Sequence, residues 1–236
     1  MTDSLAAARY AALRWNTPLS AGHAAELLDH LDLTETTSVV DLGCGWGELL
    51  LLAAARGVAK AVGVDTDPAG LDRGRRAALA RGLDVEFVER QAADWRDTAD
   101  RALCIGASHA FGGSRAMLTA LADVVPRGRV LVGDGCWETA PTPAAHAIFG
   151  DDLLPLADLV AACRDTGWQV LHMSVADQRE WDDFESRHRA GFREWVLANP
   201  GDPMAAEVTS REDAREREYL TAYRGVMGLA YLVLAR

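Results

Sequence analysis

Val39–Val40–Asp41–Leu42–Gly43–Cys44–Gly45–Trp46–Gly47–Glu48–Leu49 is the stretch from which the rest of the chain is read. A short apolar run ends at Asp41, glycines follow at alternate positions, and an apolar helix opens near Gly47. Gly43 and Gly45 permit positive φ and let a ligand approach the backbone closely. The helix start then offers unpaired N–H groups to an electron-rich ligand. Taken alone the loop is ambiguous, because dinucleotide-binding domains use the same device. Its spacing is Asp-x-Gly-x-Gly-x-Gly, whereas the dinucleotide fingerprint is Gly-x-Gly-x-x-Gly/Ala. A fingerprint register starting at Gly43 needs a small residue at Glu48 and sets that carboxylate against a pyrophosphate.

Working outward, runs rich in Val, Ile and Leu recur at 37–42, 60–65, 85–89, 102–106 and 129–134. Helix-like segments separate them at 47–56, 69–81, 114–125 and 153–165. Gly57, Gly82 and Gly167 sit where a helix closes on a left-handed residue. Continuous apolar strands alternating with helices build a parallel sheet covered on both faces. The expected fold is therefore α/β, Rossmann-like and doubly wound, with ligands beyond the C-terminal strand ends. Upstream, 5–15 and 20–32 read as helices of an N-terminal cap spanning 1–34, with Ser20 as an N-cap. Downstream, 168–175 and 225–235 read as strands. Between them, at about 177–224, lies a charged helical insertion broken at Asn199–Pro200–Gly201.

Two more strand ends carry acidic residues. Val62–Gly63–Val64–Asp65 closes the second run, where a carboxylate accepts ribose hydroxyls. Gln91–Ala92–Ala93–Asp94–Trp95 follows the third, with groups able to pair with an adenine edge and cover its face. Adenosylmethionine carries a sulfonium cation and no phosphate, so an acidic site suits it better than a dinucleotide. With Asp41, Asp65 and Asp94 in this order, the sequence resembles the class I S-adenosylmethionine-dependent methyltransferases over about residues 35–135, and less specifically to the C-terminus. The resemblance implies a seven-stranded sheet with an antiparallel last strand in a domain spanning 35–236, with 168–175 and 225–235 as the family's antiparallel sixth and seventh strands. It implies S-adenosylmethionine as cofactor, with Asp41, Gly43, Cys44 and Gly45 at the methionine part and the adenosine. Asp65 and Thr66 then take the ribose, Asp94 and Trp95 the adenine, and backbone at Ile105–Gly106 the methionine ammonium. The insertion exceeds the family's short connection, and a lid or a dimerisation role stays open for it.

In the family the loop holding His109 faces the transferable methyl, and an imidazole there can accept an acceptor's proton. The bland alternative is a histidine bonded to backbone, and methyl transfer often needs only in-line positioning. Trp15, Trp137, Tyr223 and Arg224 are the acceptor-side candidates: aromatic faces for an apolar or cationic group, and a guanidinium for a carboxylate. No metal site is read, since no Asp–Asn pair accompanies Asp134 and the four cysteines form no Cys-x-x-Cys. A rival reaction on the same cofactor stays open, and a nicotinamide-dependent oxidoreductase is a weaker rival. The acceptor atom and the oligomeric state, a homodimer included, are undetermined at this point.

Lys and Arg total 24 against 35 Asp and Glu, a formal charge of −11 that repels phosphate backbones. The densest basic run, Arg73–Gly74–Arg75–Arg76, reads as the solvated face of a helix. No apolar leader follows Asp3, and the longest uncharged apolar stretch, 226–235, is half of what a membrane span needs. A cytoplasmic protein acting on a small molecule, with no nucleic-acid or membrane partner, is expected. At physiological salt the protein should show no appreciable affinity for tRNA or duplex DNA in fluorescence anisotropy. Micromolar binding with a steep salt dependence would show a basic patch missed in the sequence.

Overall fold

The computed structural model describes residues 3–150 and 153–236. Its strands are β1 (Ser38–Leu42), β2 (Lys60–Asp65), β3 (Glu86–Glu89), β4 (Arg101–Ile105), β5 (Arg129–Trp137), β6 (Leu154–Pro155), β7 (Gln169–Val175) and β8 (Met227–Ala235). They form one sheet in the order β3-β2-β1-β4-β5-β8-β7, with the two-residue β6 beside the end of β5. β1 to β5 are parallel, and β8 lies antiparallel between β5 and β7. The last strand, β8, is reversed as expected and runs antiparallel to both of its neighbours, so that β7 runs with β5.

The helices are α1 (Asp3–Ala8), α2 (Ala21–Asp29), α3 (Glu48–Ala54), α4 (Pro68–Arg81), α5 (Ser114–Val124), α6 (Pro143–Phe149), α7 (Leu156–Asp165), α8 (Gln178–Ala198) and α9 (Ala205–Glu218). Successive strand residues face opposite sides, so each apolar strand feeds two cores. Val40, Cys104, Val132 and Leu232 pack against Met117, Leu118 and Leu121 of α5 and Leu159 of α7. Val39, Leu103, Leu131 and Val233 pack against Leu27 and Leu28 of α2 and Leu50 of α3.

Several boundaries differ from the sequence expectation for identifiable reasons. α1 stops at Ala8 instead of running to 15: beyond it Ala11 and Leu13 bond back only three residues, to Ala8 and Tyr10, and side chains hold the segment, Arg73 donating to the Tyr10 and Leu13 carbonyls and Trp46 Nε1 to that of Arg14. Arg73 thus faces inward, with its guanidinium also over the Trp46 ring, and is not part of a solvated stripe. β5 continues to Trp137 because β8 pairs with it over its full length. α6 and β6 occupy a region read as loop and helix start, and α9 ends in a π-turn at Tyr219–Tyr223.

The inserted α8 and α9 are clasped by a buried carboxylate. Glu185 accepts two hydrogen bonds from Arg215 at 2.9 Å and one from the Tyr223 hydroxyl at 3.0 Å. At its start, α8 is tied to the cap. Glu180 closes a capping box with Asp177 and also meets His23 Nδ1 at 3.0 Å and the Ser20 backbone N–H at 2.7 Å. His23 Nε2 lies 2.7 Å from Ser174 Oγ on β7. Among the described residues, no helix is long and apolar enough to cross a membrane.

The Glu180 hydrogen bond, with the charges of Glu180, Glu26 and Asp177, raises the His23 pKa above its ordinary 6.5 against the opposing effect of burial. Burial pushes Glu180 up, but the His23 and Ser20 bonds outweigh it and hold the carboxyl at about 2. The clamp's contribution is therefore full below pH 6.5 and lost as pH rises through the raised His23 value. On the acid side it is present above Glu180's ordinary 4.5 and fades as pH falls toward 2. In urea melts from pH 5 to 9, His23→Ala should cost about 1 kcal/mol near pH 6, shrinking toward pH 9. A penalty independent of pH would remove the ionic component.

Candidate functional site

A cleft opens at the C-terminal ends of β1, β2 and β4. The glycine loop is drawn against β2, since the N–H groups of Gly43 and Cys44 both donate to the Val64 carbonyl at 2.8 and 3.1 Å. Asp65 then fixes its crest. One carboxylate oxygen accepts from Gly45 N–H at 2.7 Å, and the other from the N–H groups of Thr66 and Asp67 at 2.7 and 2.9 Å. Gly43 has φ 80° and Gly45 φ 56°. A Cβ at Gly43 would collide with the Ala107 methyl, whereas one at Gly45 would meet nothing within 4 Å. Packing and dihedral both demand glycine at the first position, and the dihedral alone at the second.

Asp41 lies buried at the base of the cleft. Burial, and secondarily the Asp65 charge, push its carboxyl up to about 8. Asp41, Glu48, Asp65 and Asp67 all line the cleft, and no Lys or Arg is among its lining residues. That donor set fits a cationic ligand and repels a pyrophosphate.

One wall comes from the cap: Tyr10, Trp15, Asn16, Thr17 and Leu19. Trp46 and Arg73 hold this wall in place through their bonds to its carbonyls, and the Tyr10 and Trp46 rings lie 5.4 Å apart. The opposite wall is Ile105–Gly106–Ala107 with His109 and Ala110. Asp134 sets that wall, accepting from Ser108 Oγ at 2.8 Å and from Ser114 Oγ at 2.6 Å on either side of the His109 turn. A second cavity of about 490 Å³ lies between the cap and α8. It shares Trp15, Thr17 and Leu19 with the cleft and is closed by Glu180 and Phe184.

The structure gathers Asp41, Gly43, Cys44, Gly45, Asp65, Thr66, Ile105, Gly106, His109 and Trp15 around the cleft. Asp94 and Trp95 follow its lining residues Gln91 and Ala92 on the same short turn, but do not line it themselves. The remaining acceptor-side candidates lie elsewhere. Trp137 and Tyr223 are buried on either side of Phe149, and Arg224 forms a two-pronged ion pair with Asp182 at 2.9 Å. Trp46, Arg73, Tyr10 and Asp134 are contributors that sequence reasoning missed. The indole next to Gly45 was the available signal, but its partner on α4 is set only by the tertiary contact.

A family model described as a methyltransferase domain matches residues 39–128. The uncharacterized protein YjhP of Escherichia coli is 30% identical over 231 residues, covering 94% of this chain and 93% of YjhP. The crystal structure of an S-adenosylmethionine-dependent methyltransferase from Thiobacillus denitrificans, in complex with S-adenosyl-L-homocysteine, is 31% identical. It superposes with a TM-score of 0.88 over 100% of this chain and 99% of that one. The chain belongs to the S-adenosylmethionine-dependent methyltransferases. A second such methyltransferase, from Geobacter sulfurreducens and likewise complexed with S-adenosyl-L-homocysteine, is 28% identical with a TM-score of 0.89, covering 100% of this chain and 99% of that one.

In this methyltransferase the raised Asp41 pKa has a direct consequence. The native state holds a proton that the unfolded chain releases near 3.8, so Asp41 lowers stability progressively from about pH 4 to about 8. Asp41→Asn should therefore raise the unfolding temperature of the cofactor-free protein at pH 8.5 while leaving it nearly unchanged at pH 4. The same variant should bind S-adenosylmethionine more weakly by calorimetry, having lost the carboxylate that a cation would ionise. A variant with lowered stability at pH 8.5 would contradict the burial argument.

Proposed function

We propose that this methyltransferase acts on a small molecule that enters through the cavity under α8. One observation carries the reading: Trp15, Thr17 and Leu19 belong to both cavities, so an acceptor beneath α8 and a cofactor in the cleft meet across one wall. A pocket of about 490 Å³ falls in the range of small-molecule sites. The formal charge of −11 disfavours nucleic-acid acceptors.

Bound in the cleft, S-adenosylmethionine supplies a methyl group made electrophilic by its sulfonium. Asp41 and the glycine loop receive its cationic methionine end, and Asp65, already oriented by three N–H groups, keeps an acceptor site for a ribose hydroxyl. Asp94 and Trp95, on the turn beyond Ala92, are assigned to the adenine. Trp15 positions the acceptor for in-line attack, which is where most of the rate enhancement arises. His109, exposed on the facing wall, takes the proton released as the acceptor becomes methylated.

The test is incubation of a fractionated metabolite extract with methyl-labelled cofactor, followed by kinetics on the acceptor identified. Asp65→Ala should weaken S-adenosylhomocysteine binding by about 1.5–3 kcal/mol. Trp15→Ala should raise the acceptor KM and spare cofactor affinity. His109→Ala should lower kcat about 10²–10⁴-fold at constant cofactor affinity. Label appearing only in protein or RNA would overturn the small-molecule reading, and an unchanged kcat in His109→Ala would leave catalysis to positioning alone.

A further inference from the structure

α2 presents a polar stripe to the sheet: His23, Glu26 and His30 recur one turn apart and so lie along one face. His23 is spoken for, with one ring nitrogen on Glu180 and the other on Ser174. Glu26 and His30 instead meet His172 of β7. One donor atom from each, a carboxylate oxygen and two ring nitrogens, all lie within 4.8 Å of one another. The His30 and His172 rings stack with centroids 4.0 Å apart. Nε2 of His172 is buried without a hydrogen-bond partner, an expensive condition for a polar atom. The register of β7 slips between Val170 and His172, an irregularity of the kind that re-aims a side chain. It does so here on an outermost strand whose neighbours Leu171 and Met173 face solvent.

We propose that Glu26, His30 and His172 bind a divalent transition-metal ion, zinc(II) being the one their chemistry fits, as a clamp between α2 and β7. Two imidazoles and one carboxylate are a zinc donor set that leaves a position for water; magnesium and calcium prefer all-oxygen shells. Zn–N bonds of about 2.0–2.1 Å in a tetrahedron separate the ligand atoms by roughly 3.3 Å. The three donors reach that spacing by rotation of the stacked rings about Cβ–Cγ and a swing of the exposed Glu26. None of the three lines the cofactor cleft. The His30 carbonyl accepts from Arg129 at the first residue of β5, which places the clamp toward the end of the sheet opposite the cleft. The ion is therefore structural. It fastens the helix of the N-terminal cap that His23 fastens one turn away, and it stands independently of the acceptor reading.

The experiment uses tag-free protein treated with a chelator and exchanged into metal-free buffer. Isothermal titration with zinc chloride should show one equivalent bound at micromolar concentrations. Zinc should raise the unfolding temperature by several degrees, and magnesium should not. Cobalt(II) should give the visible absorption of a low-symmetry nitrogen–oxygen site. His30→Ala, His172→Ala and Glu26→Gln should each weaken zinc binding at least tenfold, with His146→Ala as the unaffected control. Glu26 is exposed and His30 ends its helix, so these two variants carry the test if His172→Ala misfolds by circular dichroism. Absence of zinc binding, or binding that Glu26→Gln and His30→Ala both leave intact, would overturn the proposal.

Discussion

The Asp65 carboxylate is the contact on which the site depends. By accepting N–H groups from Gly45 on one loop and from Thr66 and Asp67 on the next, it joins the ends of β1 and β2 into one rigid rim. Hydrogen bonds to an ionised acceptor are the strong kind, and these three are short. They hold Gly45 in a left-handed conformation with nothing above it, which leaves a backbone surface that a ligand can approach. Everything else in the cleft is arranged around that rim: the buried Asp41 beneath it, the Ala107 methyl wedged against Gly43, and Trp46 following directly in sequence.

Trp46 and Arg73 carry the order outward. They hold the carbonyls of the segment beyond α1 and so fix it as a wall of the cleft. The cap is then fixed a second time through His23 and Ser20 to Glu180 at the head of α8. Cap, cofactor rim and inserted helices are thus linked in series, and the cavity between cap and α8 exists because these two attachments hold their elements apart. An acidic rim with no basic lining residue disfavours a polyanion such as a pyrophosphate and suits the uncharged-to-cationic cofactor of the methyltransferase family.

The inserted helices pack with charge as well as with apolar surface. Glu185 is buried and is met by its fork with Arg215, the Tyr223 hydroxyl and an ion pair with Arg189 at 3.6 Å; removing Glu185 would leave buried positive charge without its partner. Burial, and secondarily the guanidiniums around it, push the His188 imidazole down to about 4. The contacts of Glu185 with Arg215 and of Arg189 with Glu216 fix how α9 sits against α8.

The sequence by itself determined the alternating sheet, the glycine loop and the acidic strand ends, because these depend on local periodicity and on residues adjacent in the chain. Asp41, Gly43, Gly45 and Asp65 were legible since each stands at a strand end fixed by its own apolar run. The short β6 was not legible, because a two-residue strand carries no alternation and exists only through its pairing with the end of β5. Trp137, Tyr223 and Arg224 were assigned to the acceptor side from their place near strand ends, yet aromatic packing around Phe149 and the carboxylate of Asp182 claim them. The inward turn of Arg73, the role of Asp134 in holding the His109 turn, and the meeting of Glu26, His30 and His172 were likewise decided only by the tertiary structure. In each case the partner lies on a different element, and a side chain's partner follows from how helices pack on the sheet rather than from spacing along the chain.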